Sequence, residues 1–430
     1  MSTPSTNLLA QPLTLPNGAV LPNRLAKSAM SEALGSYDNH VTDSLPSLYQ
    51  RWAASGIGLL ITGNVMIDRR ALGEPGNVVL EDDTDLPLLR HWADAATQQG
   101  VPIWVQLNHP GKQVPKGLNQ GSISPSAIPF RKELQSFFET PRAMTEAEIE
   151  DVIRRFGRSA LLCREAGFSG VQIHGAHGYL VSQFLSPHHN QRTDRWGGSA
   201  EARRRFVLAV YAEIRSQVGA GFPIGIKLNS ADFQRGGFTE EESLATIEAL
   251  SAAGIDLIEI SGGTYEAPVM TGVGGAAKAQ AARVSAAGSG KPASTIAREA
   301  YFLEFAEKVR ATVRTPLMVT GGFRTAAGMN AALASGALDV VGIARLMAID
   351  PDAPAKLLRG QNSAETVRPI KTGLKMIDRM AIMEISWYTR QLQRIAAGRA
   401  PKPRESGLYA LVGALLASGW GTFRTRRLRA

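Results

Sequence analysis

The chain has 430 residues, 44% of them apolar and 20% charged, an ordinary globular composition that can bury a large core and excludes a disordered or fibrous protein. Its formal net charge of +9 is confined to the end: residues 371–430 hold 12 Lys/Arg and 3 Asp/Glu, leaving 35 of each sign before them. A neutral main body argues against a nucleic-acid-binding surface across the protein.

The first residues, Met1-Ser-Thr-Pro-Ser-Thr6, lack the basic start and apolar stretch of a secretory signal, so a cytoplasmic, reducing setting is expected. Residues 13–21 carry Asn17-Gly18 between short apolar runs, a hairpin signal, and such a hairpin could plug the bottom of a barrel. Eight apolar runs then predict strands at 24–30, 59–64, 101–107, 170–174, 223–228, 256–261, 316–320 and 339–343. Most follow a helical stretch that ends in a small or glycine-containing turn, as at Gly100 and Gly254. That alternation predicts a parallel sheet, and eight such units predict an α/β fold, a (β/α)8 TIM barrel.

Between the third and fourth strands, residues 111–141 are rich in Pro, Ser and Gly and too long for a simple loop, which predicts a capping excursion over the top face. Thr145-Glu-Ala-Glu148 has the spacing of a capping box and should start the next helix, which carries Cys163 as a core thiol. A single cysteine forms no intrachain disulfide and cannot by itself hold an iron-sulfur cluster.

The fourth strand ends in Val171-Gln-Ile-His174-Gly-Ala-His177-Gly-Tyr179, which brings two imidazoles and a phenol to the C-terminal end of a strand, where barrels keep their active sites. The spacing suits an oxyanion-and-acid arrangement. It is also a zinc-ligand spacing, with no obvious further ligand motif but with His109, His188 and His189 elsewhere in the chain. Strand seven ends in Thr320-Gly321-Gly322-Phe-Arg-Thr325 before a helical stretch at 326–336, and strand eight in Gly342-Ile-Ala344-Arg345. Exposed backbone N–H groups, a helix start and a guanidinium together suit a phosphate group.

Five segments carry a resemblance: Asn23-Arg-Leu-Ala-Lys-Ser-Ala-Met-Ser31, Val105-Gln-Leu-Asn-His-Pro-Gly-Lys-Gln113, His174 to Pro187, Asn190-Gln-Arg-Thr-Asp-Arg-Trp-Gly-Gly198 and Thr320-Gly-Gly-Phe-Arg. Over residues 8–350 the chain resembles the old yellow enzyme family of FMN-dependent ene-reductases. The resemblance implies that Ala29, Met30 and Ser31 hold the flavin edge, that Gly63 lies near the ring, and that Gln106 binds its pyrimidine part. It places Lys227 near flavin N1, and Gly321, Gly322, Ala344 and Arg345 at the FMN phosphate. His174 and His177 would hold the substrate's carbonyl or nitro oxygen, and Tyr179 would give a proton to the α-carbon. NAD(P)H would be the reductant and a small-molecule activated alkene the substrate. Asn190 to Gly198 reads as architecture. Many bacterial members carry a cysteine at the end of strand one with an aromatic residue soon after; here stand Ser31, Glu32 and Ala33, so thiol tuning of the flavin is absent. Missing cysteines and length also set the chain apart from larger members with a cluster and a second domain.

The tail, 371–430, is expected as a basic helical extension to the 1–370 barrel. Residues 374–397 have amphipathic spacing, Pro401-Lys-Pro403 breaks it, 406–423 carry no charge, and Arg424, Arg426, Arg427 and Arg429 follow. Packing against the barrel or a sister subunit is favoured over contact with a membrane surface. Two alternatives accompany the ene-reductase reading. One is an FMN-dependent NAD(P)H dehydrogenase or reductase acting on a different substrate in the same barrel. The other is a membrane-associated protein that acts through its tail.

Overall fold

The computed structural model describes residues 7–262, 302–368, 370–371, 382–410, 412–413 and 416. Eight parallel strands close on themselves: β1 (Leu25–Lys27), β2 (Leu59–Met66), β3 (Ile103–Asn108), β4 (Gly170–Gly175), β5 (Ile224–Asn229), β6 (Leu257–Ser261), β7 (Leu317–Thr320) and β8 (Val340–Ile343). Each pairs with the next in sequence, and β8 closes on β1. Strands β3 to β6 are buried at every position, as strands covered by helices outside and side chains inside must be. The predicted first strand is longer than the observed one because the ladder stops where the chain turns into the barrel mouth; Ser28 N–H still donates to Ile343 O at 2.8 Å.

Helices α1 (Ser44–Ala53), α2 (Leu86–Thr97), α3 (Glu146–Glu165), α4 (Leu180–Leu185), α5 (Ala200–Val218), α6 (Glu240–Ala252), α7 (Leu303–Arg310), α8 (Ala326–Ala334), α9 (Arg345–Ile349) and α10 (Ala353–Leu358) fill the intervals. The capping box is formed as expected: Thr145 Oγ1 accepts from Glu148 N–H at 3.3 Å, and Thr145 N–H donates to the Glu148 carboxylate at 2.9 Å. Cys163 is buried in α3, and burial pushes its thiol pKa up. Gly100 and Gly254 end their helices at φ of +73° and +91°, a conformation that a Cβ would strain.

The interior is layered. At the bottom, the antiparallel hairpin of Leu13–Thr14 with Val20–Leu21 sends Leu15 and Leu21 against Ala26, Ile61, Trp104 and Met318. Gly170 and Gly225 make room for the Trp104 ring, since a Cβ on either would come within 2.6 Å or 2.8 Å of it. The hairpin thus plugs the floor, as the sequence suggests. Above the floor the inward side chains turn polar, which a buried site tolerates only when its hydrogen bonds are satisfied.

The excursion at 111–141 is pinned near its middle to the segment that follows β4. Ser124 Oγ donates to Gln183 Oε1 at 3.2 Å, and Gln191 N–H donates to Ser126 Oγ at 2.9 Å. The 190–198 segment is the clamp: Asn190 Nδ2 reaches Phe184 O and Trp196 O, and Arg192 reaches Pro125 O.

In the tail, α11 (Ile382–Ala396) lies against α1 and α9, and Trp387, Tyr388, Leu392 and Ile395 join the same core cluster as the barrel helices. Glu405 ties the following loop back, accepting from Arg390 and Gln391 at 3.0 Å each. Among the described residues no helix is long and apolar enough to cross a membrane. The start of the expected tail helix, most of the stretch beyond 410 and the four terminal arginines lie outside the described residues.

Candidate active site

All eight strands contribute at or near their C-terminal ends. On β4, His174 is 4% exposed, and its Nδ1 accepts the Ala176 N–H at 3.4 Å, which puts the ring proton on Nε2. The chain then turns sharply: His177 sits at φ +61°, an unusual conformation for a non-glycine residue. That turn is held from two neighbouring strands. His177 N–H donates to Asn229 Oδ1 at 3.2 Å, and its Nε2 lies 2.9 Å from Ser261 Oγ. The His174 ring lies 5.3 Å from His177 and 4.6 Å from Tyr179, centroid to centroid, so the three predicted groups do converge. Burial, then the Lys227 cation, holds His177 down to about 3; burial, His177 and Lys227 hold His174 well below the usual imidazole range. Both rings are therefore neutral at ordinary pH.

Beneath them lies a connected polar layer. Lys227 on β5 faces Glu259 on β6 at 3.1 Å and donates to Ser28 Oγ at 2.7 Å, and Ser28 in turn donates to the same Glu259 oxygen at 2.5 Å. The other Glu259 oxygen accepts from Gln172 Nε2, whose Oε1 accepts from Gln106 Nε2, both at 2.8 Å. Gln106 and Lys227, which the resemblance implies lie at a flavin ring, thus belong to one hydrogen-bonded chain.

At β1, Ala29, Met30 and Ser31 are half-buried. Ser31 Oγ donates to Glu74, whose carboxyl pKa is raised by burial, and Ser31 O accepts from Thr389 Oγ1 of α11 at 3.4 Å. Gly63 on β2 is required by a close approach: a Cβ there would meet Met30 O at 2.6 Å. Across the barrel from β4, Gly321 and Gly322 take φ of +125° and +84°, and Thr325 caps α8 by accepting the Gly328 N–H. Ala344 and Arg345 start α9 beside them, because β7 and β8 pair. Thr320 Oγ1, just before the glycines, is buried without a hydrogen-bond partner among the described residues.

Sequence reading missed Glu259, Gln172, Ser28, Asn229, Ser261 and Glu74. Only Glu259 carried a signal, a lone acid in the apolar run Leu257-Ile-Glu-Ile260. The others depend on barrel closure, which no local pattern shows. Among the described residues no group of three or more His, Cys, Asp or Glu is arranged to hold a metal ion.

Residues 8–364 match the model of the NADH:flavin oxidoreductase / NADH oxidase family. The chain belongs to that family. It is 36% identical over 370 residues to the NADH-dependent flavin oxidoreductase iliE of Hypocrea jecorina, covering 81% of this chain and 88% of that protein. To the NADH-dependent flavin oxidoreductase iccE of Talaromyces variabilis it is 34% identical over 420 residues, covering 90% and 98%. The fold is shared with an old yellow enzyme homologue from Zymomonas mobilis at a TM-score of 0.68 and 21% identity, over 84% of this chain and 94% of that one. As a member of the NADH:flavin oxidoreductase family it has FMN and a nicotinamide coenzyme as its cofactors. The matched region of the oxidoreductase stops before α11, so the helix that touches Ser31 lies beyond it.

Proposed function

We propose that this flavoenzyme reduces the C=C bond of alkenes conjugated to a carbonyl or a similar electron-withdrawing group. The residues present fit FMN: the positive-φ glycines Gly321 and Gly322 with Arg345 suit its phosphate, and Gln106 and Lys227 suit its pyrimidine edge. Bound FMN supplies the hydride carried from NAD(P)H. The chain itself supplies the rest. Neutral His174 and His177 donate hydrogen bonds to the oxygen that gains charge as hydride reaches the β-carbon, and burial strengthens both bonds. Tyr179, against His174, gives its phenolic proton to the α-carbon. The excursion at 111–141 limits which alkene enters.

The observation that carries this reading is the His174, His177 and Tyr179 cluster, two neutral imidazole donors and a phenol at one end of a strand. A spectrum followed anaerobically tests it. Purified protein should be yellow, bleach with NADH or NADPH, and regain its colour on adding cyclohexenone. Bleaching without recovery across a panel of enones and nitroalkenes would move the activity to another acceptor in the same barrel.

A further inference from the structure

Glu259 is 0% exposed between Ile258 and Ile260, and each of its oxygens is committed. A buried carboxylate is costly unless paired, so its three partners, Lys227, Ser28 and Gln172, with Gln106 bonded beyond Gln172, call for a reason. Two consequences follow from its chemistry. An ionised carboxylate only accepts hydrogen bonds, so Gln172 must turn its NH2 toward Glu259 and its carbonyl toward Gln106. Gln106 must then spend an N–H on Gln172, which leaves its carbonyl oxygen as the free end of the chain and as an acceptor for a pyrimidine N–H. Glu259 also lies 3.1 Å from the Lys227 ammonium, so the cation that faces the flavin is already partly neutralised from behind.

We infer that Glu259 is a positioning residue for the flavin site: it fixes the direction of the Gln106 amide and sets how much positive charge Lys227 presents. This rests on the assignment of Gln106 and Lys227 to the flavin given above. Reduced flavin is anionic, so a carboxylate behind Lys227 weakens the preference for reduced over oxidised FMN. No bond is made or broken by Glu259.

The test compares the affinity of the apoprotein for oxidised FMN with the midpoint potential of the reconstituted holoenzyme. Glu259→Gln should favour reduced FMN over oxidised at least tenfold more than the parent does, about 30 mV more positive for a two-electron couple. Lys227→Met should move the potential the other way. Gln172→Leu keeps both charges; it should weaken FMN binding about tenfold and leave the potential in place, and it serves equally if Glu259→Gln fails to fold. An unshifted or more negative potential in Glu259→Gln, or unchanged FMN affinity in Gln172→Leu, overturns the inference. Either result stands apart from a failure of the alkene reading, which shows only in turnover of enones.

Discussion

His174 and His177 are neutral by position. Their predicted work as hydrogen-bond donors needs no protonation, so the alkene half-reaction should show no histidine limb near pH 6.5 when followed by stopped flow from about pH 5 to 8. A limb there would mean that at least one ring carries charge in the reaction. Removing a ring removes a donor: His174→Ala should slow reoxidation by cyclohexenone about 10^2-fold or more while FMN stays bound. Tyr179→Phe should likewise slow reoxidation by the enone but leave reduction by the nicotinamide near the parent rate, since the phenol is assigned to the alkene alone. Equal losses in both half-reactions would place Tyr179 at the nicotinamide instead. These three residues were readable from sequence because they sit within six positions of one another. Glu259 was visible only as an acid in an apolar run, because its partners are Lys227 on the neighbouring strand and Gln172 two strands away.

At the scale of elements, the apolar runs located all eight strands, with ends displaced by at most three residues. The Asn17-Gly18 hairpin and the Thr145 capping box were equally legible, since each is a local pattern with its own chemistry. Thr145→Ala should therefore cost about 1 kcal/mol in equilibrium unfolding, the usual worth of a cap. Helix α11 is different. Its amphipathic spacing was visible in part, yet nothing in sequence said that it would pack on α1 and α9 or that Thr389 would reach Ser31. Trp387 is 1% exposed there, with its indole N–H donating to Glu405 O at 3.1 Å. Trp387→Ala should cost about 3–5 kcal/mol by denaturant titration, the range for deleting a buried aromatic. A loss below about 1 kcal/mol would show that the helix adds little to the barrel's stability.

For the whole molecule, acid is the natural weakness. His109 is held to about 4 and His177 to about 3, and His174 and His189 lie well below the normal value, burial being the first cause in each. Unfolding frees all four to bind protons with pKa near 6.5, so the unfolded chain takes up protons that the folded one refuses. Their stabilising contribution is complete above about pH 6.5 and fades as pH falls through that value toward the folded pKa values. Each histidine should add up to about 1.4 kcal/mol of lost stability per pH unit within that window, measurable as a falling midpoint in urea. A midpoint constant from pH 7 to 5 would show that the four rings are hydrated after all.

Among the described residues the hairpin and Trp104 close the bottom of the barrel, which leaves the mouth as the doorway to the polar layer. If the proposed function holds, reductant and acceptor queue for it. Double-reciprocal plots at several fixed acceptor concentrations should give parallel lines, and a large excess of either compound should slow turnover by occupying the doorway out of turn.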